Sequence, residues 1–253
     1  VFASNGGSKI TNVNERHGTV VDLTLAKYQP TRTGYDFTGW YSDKTLTRRV
    51  TSIKLYENTT VYAGWSTREL PFTDVGRGDW FFDDVRYVYE TGLLNGVSAT
   101  RFAPYGSTTR GMIVTILYRM EGQPSVSRDC PFTDVASGSY YERAITWAAA
   151  NGIVTGHSGT IFAPDASITR EQLAAILYRY AVYKGLDVSV GENTNILSYE
   201  DFASLSEYAI PAMQWACGAG VLYGFGGSLL PDAPANRLQA AAILHRFCVN
   251  ILN

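Results

Sequence analysis

The sequence lacks the features that are typical of membrane-spanning and nucleic-acid-binding proteins. No apolar run approaches the roughly 18 residues that a helix needs to cross a bilayer. The 21 lysines and arginines against 23 aspartates and glutamates give a net charge of −2, so no affinity for nucleic-acid phosphates is expected. With 45% hydrophobic and 17% charged residues, the 253-residue chain is instead typical of a globular protein with a sizeable core.

Cysteine and histidine are also scarce, with three residues of each. The cysteines follow no metal-ligand spacing and no disulfide framework. Cys217 and Cys248 fall on two helices of one predicted repeat, where they could pair or, more simply, serve as small apolar core residues. No histidine neighbours a candidate nucleophile or a metal partner four residues away. We therefore predict a protein with no catalytic residues, no metal site and no cofactor.

One stretch of the sequence occurs three times, which identifies a repeat protein. Between Ile161 and Tyr180, a proline precedes an arginine by six residues, and a second arginine follows nine residues after the first. Two further copies keep both intervals. The proline and its two arginines are Pro104, Arg110 and Arg119, then Pro164, Arg170 and Arg179, then Pro231, Arg237 and Arg246.

A helix is expected to begin at the first arginine of each copy. Thr169 is a suitable N-cap residue, and Gln172 three positions later completes a capping box. Asn236 and Gln239 repeat the box, whereas Thr109 keeps only the cap. Apolar residues at helical spacing follow in every copy. We call these predicted helices the B helices.

A shorter A helix is predicted before each B helix. Each copy opens with an aromatic residue and an aspartate in a turn, as in Phe72-Thr73-Asp74-Val75. The A helix that follows ends at a glycine suited to a left-handed C′ position. The repeated positions are Asp74, Asp134 and Asp201 in the turns, Trp80, Tyr140 and Tyr208 on the A helices, and Gly92, Gly152 and Gly220 at their ends.

Residues 1–65 follow a different pattern. Aromatic and β-branched residues alternate with small or polar ones and are bounded by Gly, Asn and Pro, which favours strands. Short strands are predicted at residues 19–23, 35–41 and 60–65. Trp40 and Trp65 are expected in their core, and residues 66–70 form a polar linker to the repeats.

The motif G-Y-D-F-T-G-W-Y followed by N-T-T-V-Y-A-G-W resembles the Listeria-Bacteroides repeat of internalins and other bacterial surface proteins. The resemblance implies a β-grasp-like fold for residues 1–65. It also implies a spacer or a weak adhesion module.

The three later copies resemble the S-layer homology (SLH) domain. The first two copies have its aromatic-x-Asp-Val opening, an A helix that ends in glycine, a G-x-x-x-G segment, an F-x-P turn and a T-R-x-x helix start. The third copy is degenerate, with Tyr199-Glu200-Asp201-Phe202 as its opening and Asn236-Arg237-Leu238 at its helix start. The copies span residues 71–124, 131–184 and 185–253, the last including a polar loop. The resemblance implies an α+β multidomain chain, in which a mainly α, pseudo-threefold trimer of helix-loop-helix repeats follows the β-rich module.

The SLH resemblance also implies a function. Grooves between the copies would hold secondary cell-wall polysaccharide, often by its pyruvylated N-acetylmannosamine end, and anchor an exported protein at the bacterial cell wall or S-layer. We expect a monomer, and a piece of a longer protein because the sequence begins at Val1 without a signal peptide. Peptidoglycan is a second possible partner. The alternative function is an adhesin or a structural self-assembly module that binds a host or wall protein.

Three arginines are the predicted carboxylate ligands, namely Arg110, Arg170 and Arg237. A helix N-terminus offers free N–H donors and partial positive charge to an anion. Arginine in the first turn opposes that dipole, so its recurrence suggests an external anionic partner. The same arginines could instead pair with the repeated aspartates.

Further residues complete the predicted site. The N-cap residues Thr109, Thr169 and Asn236 would lie beside the carboxylate. Trp147 and Trp215 could stack on a sugar ring, although a core role is the default for a tryptophan on an A helix. The second arginines, Arg119, Arg179 and Arg246, are predicted to cap the C-termini of the B helices.

Overall fold

The computed structural model describes residues 1–252 and divides the chain into two compact units, one comprising Val1–Pro71 and a second that begins at Phe72. The first unit is built of strands and the second mainly of helices, which confirms the predicted α+β class. None of the described helices is both long enough and apolar enough to cross a membrane.

The N-terminal unit contains a four-stranded sheet and a separate strand pair. The strands are β1 (Phe2–Ala3), β2 (Val20–Asp22), β3 (Tyr35–Tyr41), β4 (Arg49–Val50), β5 (Ser52–Lys54) and β6 (Val61–Thr67). The sheet has the order β1-β6-β3-β4, in which β1 runs parallel to β6 and the other neighbours are antiparallel. Strands β2 and β5 form the antiparallel pair. Because β6 continues through Thr67, the first two residues of the predicted linker belong to a strand.

Both tryptophans of this unit pack in or against its core, as predicted. Trp40 is only 2% exposed, and its Nε1 donates a hydrogen bond to the carbonyl of Tyr28 at 2.8 Å. Trp65 packs at the edge of the same cluster and donates from Nε1 to the carbonyl of Ser4 at 3.0 Å. Each indole N–H therefore has a partner inside the module.

Among its described residues, the second unit contains six α-helices in three pairs. The A helices are α1 (Phe82–Glu90), α3 (Glu142–Ala150) and α5 (Ile210–Gly218), and the B helices are α2 (Arg110–Met120), α4 (Arg170–Tyr183) and α6 (Arg237–Ile251). The residues Trp80, Tyr140 and Tyr208 precede the A helices, so their expected place within these helices is wrong. The predicted C′ glycines are confirmed, with φ of 71°, 69° and 66° at Gly92, Gly152 and Gly220.

The helices pack across the boundaries of the repeats. Helix α3 packs on α2 of the preceding repeat, α5 packs on α4, and α1 returns to pack on α6. Short antiparallel bridges also join the repeats, between Thr109 and Ser167, Thr169 and Pro234, and Ser107 and Asn236. The three repeats consequently form a closed ring in which each one contacts both others.

The repeated aspartate fixes the loop between the two helices of its repeat. Asp134 accepts hydrogen bonds from the backbone N–H groups of Phe162 at 2.8 Å and Ala163 at 2.7 Å. Asp74 and Asp201 make the same pair of contacts in their repeats. The second donor always has a left-handed backbone, with φ of 57°, 59° and 54° at Ala103, Ala163 and Leu230. The aspartate thus stabilises a conformation that costs a non-glycine residue about 1 kcal/mol or more.

Candidate functional site

The first arginine of each B helix inserts into the next repeat and donates to its backbone. Arg170 donates from Nε to the carbonyl of Leu229 and from Nη2 to the carbonyl of Tyr223, both at 2.8 Å. Arg110 and Arg237 make the equivalent Nε contacts to Phe162 and Phe102, at 2.9 and 2.8 Å. All three side chains are buried, and burial lowers the pKa of each guanidinium. The arginines are therefore ties between repeats, whatever else they bind.

The repeated aspartates do not pair directly with these arginines. Asp201 accepts from the N–H of Leu229, while Arg170 donates to the carbonyl of the same residue. The same arrangement holds at Phe102 and Phe162. Acid and base therefore hold one loop from two sides. Each arginine and its aspartate attract each other electrostatically, but they act through the loop backbone and form no direct ion pair.

The first turns of the B helices are not open to an anion. In α4 the N–H groups of Arg170 and Glu171 donate to the carbonyls of Ala233 and Pro231, both at 3.1 Å. The next N–H, of Gln172, donates to the Thr169 side chain. Helices α2 and α6 repeat this pattern. The expectation of free N–H donors at these N-termini is thus wrong, because the neighbouring repeat uses them.

The predicted caps are confirmed as structural elements. Thr169 with Gln172 and Asn236 with Gln239 form complete capping boxes, and Thr109 caps α2 through its side chain alone. The side-chain oxygens of these caps already accept hydrogen bonds from their own helices. Of the three cap residues, Asn236 lines a groove of the ring.

Two grooves of similar size open between the repeats. Groove I lies between the second and third repeats, and groove II between the third and first, each with a cavity of about 410 Å³. Residues that line groove I include Arg110, His157, Glu171, Gln172, Arg179, Tyr208 and Asp232. Residues that line groove II include Trp80, Tyr105, Arg170, Phe225, Leu238, Gln239 and Arg246.

Each groove receives one arginine from each of two B helices. Arg110 of α2 and Arg179 of α4 line groove I, whereas Arg170 of α4 and Arg246 of α6 line groove II. Nine residues are two and a half helical turns, so the two arginines of α4 leave opposite sides of the helix. The expected capping role is wrong for Arg179 and Arg246, since α4 and α6 continue past them to Tyr183 and Ile251.

The arginines that connect the repeats keep N–H donors that no described protein group uses. Arg110 and Arg170 use Nε and Nη2 for the backbone ties, and within residues 1–252 their Nη1 atoms donate to no protein acceptor. A guanidinium carries five N–H donors, so each keeps donors for a further partner. Arg246 lies over the ring of Tyr223, with its guanidinium carbon 4.7 Å from the ring centre. This cation–π contact holds a second cation in groove II.

Trp147 and Trp215 belong to the core of the ring. They are 4% and 0% exposed. Trp147 packs against Tyr118 and Trp215 against Tyr178, so each stabilises a contact between neighbouring repeats. Their burial leaves no ring face for a sugar, and neither lines groove I or groove II.

The exposed aromatic residues lie elsewhere, at the entrances of the A helices. Trp80, Tyr140 and Tyr208 are 73%, 61% and 51% exposed. Trp80 lines groove II and Tyr208 lines groove I. The sequence contains a signal for this exposure. In each repeat the exposed aromatic residue is followed immediately by a buried residue, which is aromatic in the first two repeats and alanine in the third.

Other reactive groups have structural surroundings. The cysteines are free, and burial raises the pKa of Cys217 to about 11 and also raises that of Cys248, which disfavours their reactive thiolates. Burial raises the pKa of Tyr208 to about 12, with a further contribution from Glu171. Across the described residues, no three His, Cys, Asp or Glu side chains gather as a metal ion would require.

Family models match both units of the chain. The Listeria-Bacteroides repeat domain matches residues 1–64, and the S-layer homology domain matches residues 71–111, 131–174 and 198–241. These matches confirm both resemblances seen in the sequence.

Several curated proteins resemble this chain over part of its length. An endoglucanase of a Bacillus species is 35% identical over 69% of this chain, which covers 18% of that protein. The surface-layer 125 kDa protein of Lysinibacillus sphaericus is 31% identical over 44% of this chain, which covers 10% of that protein. The cellulosome-anchoring protein of Acetivibrio thermocellus is 28% identical over 53% of this chain, and 32% of its own length is covered. The chain thus spans less than a third of each of these relatives.

The three helix pairs of the ring correspond to the three segments that match the S-layer homology domain. The chain belongs to the S-layer homology domain family, as a cell-surface anchoring module of the bacterial wall or S-layer that carries a Listeria-Bacteroides repeat domain at its N-terminal side.

Proposed function

We propose that the ring is a non-catalytic anchor that binds secondary cell-wall polysaccharide by its pyruvylated N-acetylmannosamine end. The chain would thereby attach an exported protein to the cell surface. The observation that carries this proposal is the pair of arginines in groove II, Arg170 and Arg246, contributed by two different B helices. The catalytic names among the relatives belong to proteins of which this chain covers only a small part.

The chemistry of a pyruvylated sugar matches such a pair. A pyruvate ketal carries one carboxylate, and arginine N–H groups bind carboxylates through charge-assisted hydrogen bonds of about 1.5–3 kcal/mol each. Arg170 is already fixed by its backbone ties, so little side-chain entropy is lost when its remaining donors bind a ligand. The sugar ring can lie against exposed aromatic side chains at the groove rim.

Two grooves on one ring favour firm attachment without tight individual sites. Once one groove holds a polymer end, binding of a second saccharide unit in the other groove becomes effectively intramolecular. The N-terminal module then serves as a spacer.

Co-sedimentation with purified cell-wall sacculi tests the anchor. The full chain is expected to sediment with untreated sacculi and to stay in solution with sacculi stripped of polymer by hydrofluoric acid. The double variant R179Q/R246Q should lose sedimentation, whereas R128Q, an exposed arginine outside both grooves, should retain it. Retention on stripped sacculi would instead identify a peptidoglycan binder, and failure on both would favour an adhesin.

A further inference from the structure

The two grooves have similar volumes but different charges. Groove I combines Arg110 and Arg179 with the carboxylates of Glu171 and Asp232, so its charged side chains balance. Among the described residues that line groove II, Arg170 and Arg246 are the charged ones, and no acid accompanies them. An anionic ligand therefore meets a net positive charge in groove II and no net charge in groove I.

The side chain of Glu171 is fixed in the wall of groove I. It is 4% exposed, and its carboxylate accepts hydrogen bonds from the N–H of Ser206 at 3.1 Å, the hydroxyl of Ser206 at 2.8 Å and the hydroxyl of Tyr208 at 3.0 Å. All three groups are donors, which is the arrangement an ionised carboxylate requires. A fixed negative charge of this kind is only weakly screened by solvent.

The equivalent residue of α6 has no charge. Leu238 follows Arg237 as Glu171 follows Arg170, and each lines the groove beside its own helix. Groove II also has two exposed aromatic rings, Tyr105 and Phe225, which are 74% and 80% exposed. In groove I the position of Tyr105 is taken by Asp232 and that of Phe225 by His157.

We propose that the second residue of the B helix decides the charge of the saccharide that its groove accepts. Groove II, with Leu238, takes the sugar unit that carries a carboxylate. Groove I, with Glu171, takes an uncharged pyranose, whose hydroxyl groups can donate to its acids and accept from its arginines. This inference rests on the proposed binding of wall saccharide in the grooves.

The charge difference explains why one polymer could use both grooves. A carboxylate in groove I would approach the carboxylates of Glu171 and Asp232, and like charges in a partly buried site disfavour one another. A neutral ring has no such repulsion and finds several hydrogen-bonding groups there. In groove II the same neutral ring would leave Arg170 and Arg246 without an anionic partner among the described residues that line the groove.

Calorimetric titration with the methyl glycoside of pyruvylated N-acetylmannosamine, and with its unpyruvylated analogue, separates the grooves. R246Q should weaken binding of the acidic glycoside at least tenfold, and R179Q should change it less than twofold. E171Q, which removes the charge but keeps the shape, should add one acidic-glycoside site per chain. Should E171Q disturb the contacts to Ser206 and Tyr208, D232N removes the other acid of groove I and should strengthen acidic-glycoside binding there.

Two results would overturn the inference. One is equal loss of acidic-glycoside binding in R179Q and R246Q, and the other is an unchanged number of sites in both E171Q and D232N. Sedimentation with sacculi tests the anchor separately from the calorimetric test of the grooves. A chain that sediments but binds no acidic glycoside remains an anchor, and the proposed role of the second B-helix residue is then wrong. A chain that binds the glycoside in groove II but does not sediment supports that role and contradicts the anchor.

Discussion

The seams between the repeats and the walls of the grooves both use residues of the B helices, yet the sequence repeats more strictly in the seams. Each seam has an arginine that donates to a carbonyl of the next repeat and an aspartate that accepts from the same loop. The groove walls differ, with Glu171 in one and Leu238 in the other. The recurring arginine and aspartate of each seam therefore hold the ring together, whereas the residues that vary in the groove walls make the two grooves different from each other.

The largest expected effect is that of a seam arginine. R170A removes one buried and one partly buried hydrogen bond and leaves the carbonyls of Leu229 and Tyr223 without their donor, for an expected loss of about 4 kcal/mol in unfolding free energy. Urea unfolding followed by helical circular dichroism measures it. R246A, at the groove wall, is the matched control and should stay within about 0.5 kcal/mol of the unmodified chain. Equal stability of both variants would contradict the distinction between seam and wall.

The seam aspartate should come next. D134A removes two backbone N–H contacts of 2.8 and 2.7 Å and leaves Ala163 in a left-handed conformation without support. We expect a loss of about 3 kcal/mol, and about half of that for D134N, whose amide keeps one acceptor oxygen. The same urea titration applies. D165A is the control, since Asp165 lies in the adjoining turn and makes one long contact, to Tyr141 at 3.3 Å.

The pH dependence of stability should follow from these aspartates. Burial raises the pKa of Asp74 and Asp134, but the hydrogen bonds from backbone N–H groups lower it by more. Both pKa values therefore lie below 3.8. A pKa that is lower in the folded state contributes stability above the unfolded value, which is lost as pH falls through the folded value. The urea midpoint should therefore decline as the pH drops from about 4 towards 2. D74N/D134N should show a shallower decline over that range, and an identical slope would contradict this cause.

A smaller effect is expected at the ends of the A helices. Gly152 has a φ of 69°, and a methyl group added there would contact nothing within 4 Å. G152A should therefore lose only the cost of a left-handed alanine, about 1 kcal/mol. Gly78 in the turn before α1 offers a control, because it also has open space around it but no positive φ. If G78A were as destabilising as G152A, backbone conformation would not be the cause.

The smallest effect on stability should come from the groove rim. W80A removes a side chain that is 73% exposed, so we expect a change below about 0.5 kcal/mol in unfolding free energy. Its binding of the acidic glycoside should fall several-fold, since an aromatic face at groove II is lost. W215A is the contrasting change, because that ring is fully buried and its removal should cost about 3 kcal/mol or more.

Local features of the fold could be predicted from the sequence. The capping boxes at Thr169 and Asn236 and the left-handed glycines depend on residues within a few positions of one another. The tie of Arg170 depends on carbonyls at Tyr223 and Leu229, more than fifty residues away. Every residue has a carbonyl, so no side-chain pattern marks these two as the partners.

The groove lining was only partly visible in the sequence. The interval of nine residues between Arg170 and Arg179 already places them on opposite sides of one helix, which is a signal for two separate grooves. The burial of Trp215 and the exposure of Trp80 follow from the packing of each A helix on the previous repeat. That partner could not be inferred from one repeat considered alone.

The closed ring has a consequence for how the unit forms and fails. Arg237 of the last repeat donates to Phe102 of the first, across 135 positions of chain, and α6 packs on α1. A linear array can lose its terminal member and keep the others, because each repeat contacts only its neighbours. Here any missing repeat opens two seams at once. We therefore expect the three repeats to fold and unfold together.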